Sequence, residues 1–370
     1  MNFQDGTPLT ADAAAASLAA SCGTGPSPNP STGGPPANCP WNAVYVGGAS
    51  DVVVTTSMPM PDLPELLAQT RFAISRRGAD GTIEGTGPFR VAGFPNGALT
   101  LTANDDCWRG RPFLDSVEIL PHRGIRDQWL DLSVGRADVV QVPPQRLGEA
   151  QQQHFSMLVS PPDDLLVLTL APQGAFADPA MRRAVALAVD RNALYNVIFQ
   201  KQGEIVASLL PQALSGYAFL FPVSRDLNGA RALRGGASSP AATFSAPAGD
   251  GALQLAAERL ALNLHEAGFS VSMAPAGAPS NLALRLVHLE AVTPRAALDQ
   301  MLEALAQNVT VAGTDPVSLW RSESEALRNE TVIPLLWLPR AWAVGPNVRG
   351  LRLSADGSPL LADASLEGPK

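Results

Sequence analysis

The chain has 370 residues, 46% of them hydrophobic and 16% charged, enough to bury a core in two ordinary domains or one two-lobed protein. With 34 Asp and Glu against 26 Lys and Arg, and no block of five basic residues, it repels phosphate backbones, which excludes nucleic acid as a direct partner. No apolar run reaches the roughly 18 residues of a membrane-spanning helix; Val332 to Val344 comes nearest and is broken by Pro334, Pro339 and Arg340.

The opening MNFQDGTPLT has no basic stretch followed by an apolar core, so it does not read as a secretory signal. Thr10 to Ala20 reads as a helix, with Thr10 as N-cap and Asp12 in the first turn. Gly23 to Pro40, bracketed by Cys22 and Cys39, is rich in Pro, Gly, Ser and Asn and reads as a loop. The two cysteines are either small loop residues or a disulfide; pairing would contribute about 3 kcal/mol and imply an oxidising compartment. Ala43 to Val46 and Val52 to Ser57 are strands, and Asp62 to Gln69 is a short helix.

From Gly85 the pattern becomes a β-meander. Phe89 to Phe94 and Ala98 to Ala103 flank Pro95-Asn96-Gly97, a hairpin signal, and Val117 to Pro121 follows. Asp127 to Gly135 is helical and Ala137 to Val142 is a strand, an alternation that argues for an α/β layer. Leu165 to Leu170 suits a buried strand, Asp178 to Asp190 is a helix opened by Pro179, and Asn192 to Phe199 continues helical. Asn228 to Gly251 reads as an exposed low-complexity loop. Then come helix Leu253 to Glu266, strands Ser270 to Met273 and Leu282 to Leu289, helices Pro294 to Leu305 and Ser318 to Arg328, and strand Val332 to Leu338.

Nothing in the chain supports catalysis. His122, His154, His265 and His288 are scattered without HExxH spacing, and no GxSxG elbow, Walker loop or GxGxxG occurs. Gly85-Thr86-Gly87 is followed by Pro88, which removes an N–H that a phosphate cradle needs. No metal site and no cofactor are expected, and the protein is not expected to be an enzyme.

Several strings together carry a resemblance. Phe3-Gln4-Asp5-Gly6-Thr7-Pro8-Leu9-Thr10-Ala11-Asp12, Gly85-Thr86-Gly87-Pro88-Phe89-Arg90 and Asn104 to Asp115 (NDDCWRGRPFLD) occur in that order. Gly135-Arg136-Ala137-Asp138, Asp178 to Arg191, Ile333-Pro334-Leu335 and Val348-Arg349-Gly350-Leu351 complete the series. Together they resemble the family 5 extracellular solute-binding proteins, the peptide- and nickel-binding components of ABC importers, across nearly the whole chain. Trp108 is read here as a packing anchor, with a ligand contact the alternative.

The resemblance implies a type II periplasmic-binding-protein fold of the peptide-binding cluster, an α/β architecture with two lobes and a hinge. Residues 1–170 and the tail 345–370 would form the first lobe and 171–344 the second. A peptide or similar small solute would sit between them, and a monomer would deliver it from the cell envelope to an ABC permease. Relatives carry a signal peptide and further strands before the opening motif, so the chain reads as N-terminally truncated. Peptide-binding relatives also place an aspartate, before a proline, against the ligand's amino terminus. The matching stretch here reads Thr293-Pro294, which makes Glu290 the candidate substitute, a solvated carboxylate being the alternative. Trp337, Arg340 and Trp342 form a second candidate group, suited to a peptide backbone or a carboxylate, with core packing the alternative for at least one tryptophan. Two other readings stay open, a cytoplasmic ligand-sensing domain and a degenerate member that binds nothing.

Overall fold

The computed structural model describes residues 1–22, 39, 41–57, 59–78, 81–121, 123–143, 146–153, 155–217, 219–235, 241–247, 249–275, 278–291 and 293–368. They divide into two compact units. One comprises Met1–Arg123, Asn347–Arg352 and Pro359–Lys370; the other comprises Gly124–Pro346 and Leu353–Ser358.

In the first unit Thr10 caps helix Ala11–Ser21, its hydroxyl accepting from the Ala13 N–H at 3.2 Å. The helix is followed by an antiparallel hairpin, Ala43–Gly48 with Asp51–Thr55. Cys22, at the helix end, is joined to Cys39 with their Cα atoms 5.2 Å apart; the loop between them lies outside the described residues. The meander is a three-stranded antiparallel sheet, Phe89–Gly93, Leu99–Ala103 and Ser116–Ile119. Asn96 and Gly97 turn the chain at φ 54° and 80°, the left-handed region that Asn and Gly enter at least cost.

Three of the family-like strings meet in this unit. The Gln4 amide accepts from the Gly85 N–H at 3.2 Å and donates to the Gly87 carbonyl at 3.3 Å, while Asn104 Nδ2 donates to the same carbonyl at 3.1 Å. Side-chain amides thus satisfy a backbone turn that carries no strand partners of its own. Trp108 is not the packing anchor the sequence reading expects: it is 57% exposed with the Arg109 guanidinium over its ring, and Cys107 takes the buried place beside it. His122 and His154 lie outside the described residues.

The second unit is a mixed sheet with helices packed on it. Its strands run in the order Glu204–Ile205, Val332–Val344, Ser156–Leu170, Leu282–His288, Ala241–Ser245 and Ser270–Met273, and Val139–Val142 pairs further along the free edge of Val332–Val344. The last three strands in that order are mutually parallel; the remaining pairs are antiparallel. Residues 124–170, assigned to the first lobe in the sequence reading, fall in this unit because Ser156–Leu170 pairs with Val332–Val344 over nearly its full length.

Two apolar clusters flank that long strand pair. Leu166, Leu168, Leu336 and Leu338 belong to the larger, which also holds Phe176, Phe244 and the inner faces of helices Pro179–Ala188 and Gly251–Glu266. Ala341 and Ala343 belong to the smaller, with Leu132, Val140, Val142 and Leu147. Between the clusters the pairing slips at Leu338/Pro339 and again at Pro339/Ala341, opposite Pro162. Prolines lack the N–H that a ladder needs, so the strands bulge here.

Two expectations require correction. Asn228 to Gly251 is not a loop throughout: helix Leu227–Arg234 starts at an N-cap, Asp226, that accepts from the Gly229 N–H at 2.8 Å, and Ala241–Ser245 is a strand. Small residues hid both. That strand is held by parallel neighbours on either side and by Phe244, which is fully buried. Leu165 to Leu170 and Val332 to Leu338 are likewise only halves of longer strands, because the bulging prolines interrupt the pattern without ending the pairing.

Candidate functional site

The bulge gathers several polar side chains of the second unit. Asp163 and Asp164 leave the strand Ser156–Leu170 on opposite faces of its pleat, and His288 ends the neighbouring strand with its backbone opposite Asp164. Arg340 and Trp342 come from Val332–Val344. The Arg340 N–H donates to Ser160 Oγ at 2.9 Å, filling a bond the irregular ladder leaves open.

The Arg340 side chain is committed inside the protein. Its Nη2 donates to His288 Nε2 at 2.5 Å and to the Asp356 carbonyl, and its Nε lies 3.5 Å from Asp163 Oδ2. A guanidinium only donates, so His288 Nε2 accepts; the ring proton is then on Nδ1, which donates to Asp164 Oδ1 at 2.8 Å. His288 thereby bridges Arg340 and Asp164. Asp163 is 4% exposed, and burial first, then the adjacent Asp164 charge, holds its carboxyl above the ordinary carboxylate range while Arg340 pulls the other way.

The turn Leu353–Ser358 closes over this cluster. Trp342 Nε1 donates to the Gly357 carbonyl at 3.0 Å, and Arg340 grips the Asp356 carbonyl beside it. Gly357 adopts φ 68°, and a Cβ there would run into the Asp163 carboxylate, so the position is closed to any side chain.

The structure therefore brings Arg340 and Trp342 together, and Arg340 to His288. Glu290 follows two residues after His288, with its backbone N–H fixed by Gln300 Oε1 at 3.0 Å and Gln300 Nε2 returning to the His288 carbonyl at 2.9 Å. Its carboxylate is partly exposed and takes no partner among the described residues. Trp337 stands apart: it is fully buried, opposite Leu165 on one side and Glu204 on the other.

Asp163, Asp164 and His288 were missed as a group. Each offers one ligand atom, all within 4.8 Å of one another. Asp164 Oδ1 already accepts from His288, His288 Nε2 from Arg340, and Arg340 faces Asp163 and supplies the positive charge of the cluster. The available signal was Asp163-Asp164 at the head of the apolar run Leu165 to Leu170: charges entering a buried strand need counter-charges.

Residues 1–311 match the family described as bacterial extracellular solute-binding proteins, family 5 Middle. The chain belongs to family 5 of the bacterial extracellular solute-binding proteins. This family 5 chain is 30% identical over 146 residues to the probable ABC transporter periplasmic-binding protein SapA of Escherichia coli K12, a match covering 36% of the chain and 25% of SapA. The matched stretch thus spans a quarter of that relative's length. Solved structures share the fold. NikA from Staphylococcus aureus, in complex with Ni(L-His)2, superposes with a TM-score of 0.82 at 14% identity, covering 99% of this chain and 86% of NikA. The oligopeptide-binding protein AppA from Bacillus subtilis, in complex with a nonapeptide, gives 0.74 at 15% identity, covering 99% and 85%.

Proposed function

We propose that this family 5 protein is the solute-capturing component of an ABC importer, working as a monomer in the cell envelope and handing a peptide or similar small solute to a membrane permease. The observation that carries this reading is the family match over residues 1–311. SapA, named as a periplasmic-binding protein of an ABC transporter, supports the setting, and the Cys22–Cys39 bond suits an oxidising compartment. The protein captures its ligand without transforming it; the strings that carry the resemblance build turns, caps and strands and assemble no nucleophile with its base.

Within the second unit, Glu290 is the ligand-facing group in this proposal. Its carboxylate is accessible and uncommitted, and Gln300 fixes its backbone, so it can receive an ammonium or guanidinium. Arg340 and Trp342 serve it indirectly by holding the turn Leu353–Ser358, and Trp337 serves it by packing.

Native mass spectrometry of the full chain challenged with a mixture of short peptides tests the proposal. A discrete 1:1 adduct that Glu290→Gln weakens supports both the function and the residue. An adduct indifferent to Glu290→Gln removes that residue, and no adduct from peptides, oligosaccharides or nickel chelates refutes solute capture.

A further inference from the structure

A cavity apart from the Arg340 cluster lies in the same unit. It measures about 180 Å³ and opens where helix Pro179–Ala188, the end of helix Pro316–Leu327 and the start of strand Val332–Val344 come together. Its lining includes Arg183, Leu220, Phe221, Arg328, Glu330 and Ile333. Ile333 and Arg340 are seven positions apart along the strand, about 23 Å at the rise of an extended chain, so this cavity is not the Arg340 cluster.

Its chemistry is lopsided. Ile333 is buried and gives an apolar floor beside the partly buried Leu220. Two arginines, Arg183 and Arg328, line it against one acidic residue, Glu330. Arg183 is spent on that carboxylate, its Nη1 lying 2.6 Å from Glu330 Oε1. Arg328 is exposed, and its guanidinium has no ion-pair or hydrogen-bond partner among the described residues. One positive charge is therefore left over beside an apolar hollow.

The hollow is also pre-formed. Arg191 is 2% exposed, donates from Nε and Nη2 to the Pro334 carbonyl at 2.9 and 2.7 Å, and sits 5.8 Å from the centre of the Phe221 ring. The aromatic wall is thus pinned from the protein interior. Glu330 adopts φ 51°, a backbone conformation that costs a non-glycine residue energy, and its carboxylate pairs with Arg183. A small concave site with apolar walls and one placed charge selects ligands with one opposite charge and a compact apolar body.

We infer that this cavity binds a small monocarboxylate carrying an aromatic or branched apolar group, with Arg328 taking the carboxylate and Phe221 and Ile333 taking the apolar part. The site goes beyond solute capture in the importer and does not depend on it.

Benzoate is the probe and benzamide its uncharged counterpart, titrated into the full chain by ligand-observed NMR. Benzoate is expected to bind saturably, benzamide about tenfold more weakly or worse, and Arg328→Gln to erase that difference. Arg328 is exposed, so the variant should melt with the parent, and the same melt checks that it folds. Phe221→Ala provides the apolar arm and should weaken both probes alike. Equal binding of the two probes, no saturable benzoate binding, or benzoate binding that survives Arg328→Gln would each overturn the assignment. Peptide adducts by native mass spectrometry should be unchanged in Arg328→Gln, which separates a failure here from a failure of solute capture.

Discussion

The Arg340 guanidinium donates to His288 Nε2 at 2.5 Å, and this single contact fixes both the tautomer of the ring and the fate of the arginine. A residue whose type and position suggest a ligand carboxylate is instead the internal counter-ion of Asp163 and the tether of the turn at Asp356. Removing the ring leaves Asp164 and Arg340 each short of a partner in a partly buried site. His288→Ala should therefore cost about 1–3 kcal/mol in urea unfolding. His288→Gln, which keeps one donor and one acceptor, should recover part of the loss. Equal midpoints for parent and His288→Ala would show the bridge to be energetically idle.

Glu323 gives a pH dependence with a definite sign. It is fully buried on helix Pro316–Leu327; its Oε1 accepts from the N–H groups of Leu209 and Leu210, and its Oε2 meets the Tyr217 hydroxyl at 2.6 Å. Loss of water outweighs these bonds and pushes its pKa from the ordinary 4.5 up to about 7, while burial and then the Glu323 charge raise the tyrosine. Between those values the folded protein binds a proton that the unfolded chain has released, so stability falls as pH rises from about 4.5 to about 7. The drop amounts to about 3 kcal/mol. Glu323→Gln retains an acceptor for both N–H groups and should flatten that slope. A variant with the parent's pH slope would assign it to another group.

Gly203 marks a close approach of backbone to backbone. It sits at φ 91°, and a Cβ there would meet the Trp337 carbonyl oxygen. Gly203→Ala should cost about 2 kcal/mol or more, from strain and displacement of the adjoining strand pair. Gly216→Ala, at a similar φ of 80° with no neighbour in reach, separates the two contributions. Equal losses would mean that contact with Trp337 adds nothing.

The Cys22–Cys39 bond closes a sequence separation of 17. Replacing both cysteines by serine should lower stability by about 3 kcal/mol through the greater freedom of the unfolded chain. An unchanged urea midpoint, with and without reductant, would deny the bond a stabilising role.

Much of the fold was legible because its signals are local. Thr10 and Asp178 each precede a helix and accept from its first N–H groups, and Asn96-Gly97 turns a hairpin. What stayed hidden depends on contacts distant in sequence. Ala241–Ser245 is a strand only because Ser270–Met273 and Leu282–His288 lie on either side of it. Pro339 looked like a break and, opposite Pro162, is part of a bulge in a continuing pair. The candidate site was half visible: Arg340, Trp342 and Glu290 could be singled out by type, whereas the His288 bridge joins residues 52 and 124 positions apart. Trp337 and Trp342 looked alike, yet one is fully buried and the other bonds the turn at Gly357.

The central claim is solute capture, and a thermal-shift screen of the full chain against pooled short peptides, oligosaccharides and nickel chelates tests it most directly. One pool should raise the melting temperature in a concentration-dependent way, by the equivalent of about 2.7 kcal/mol at a hundred times the dissociation constant. A cooperative melt that no pool moves at any concentration would contradict it.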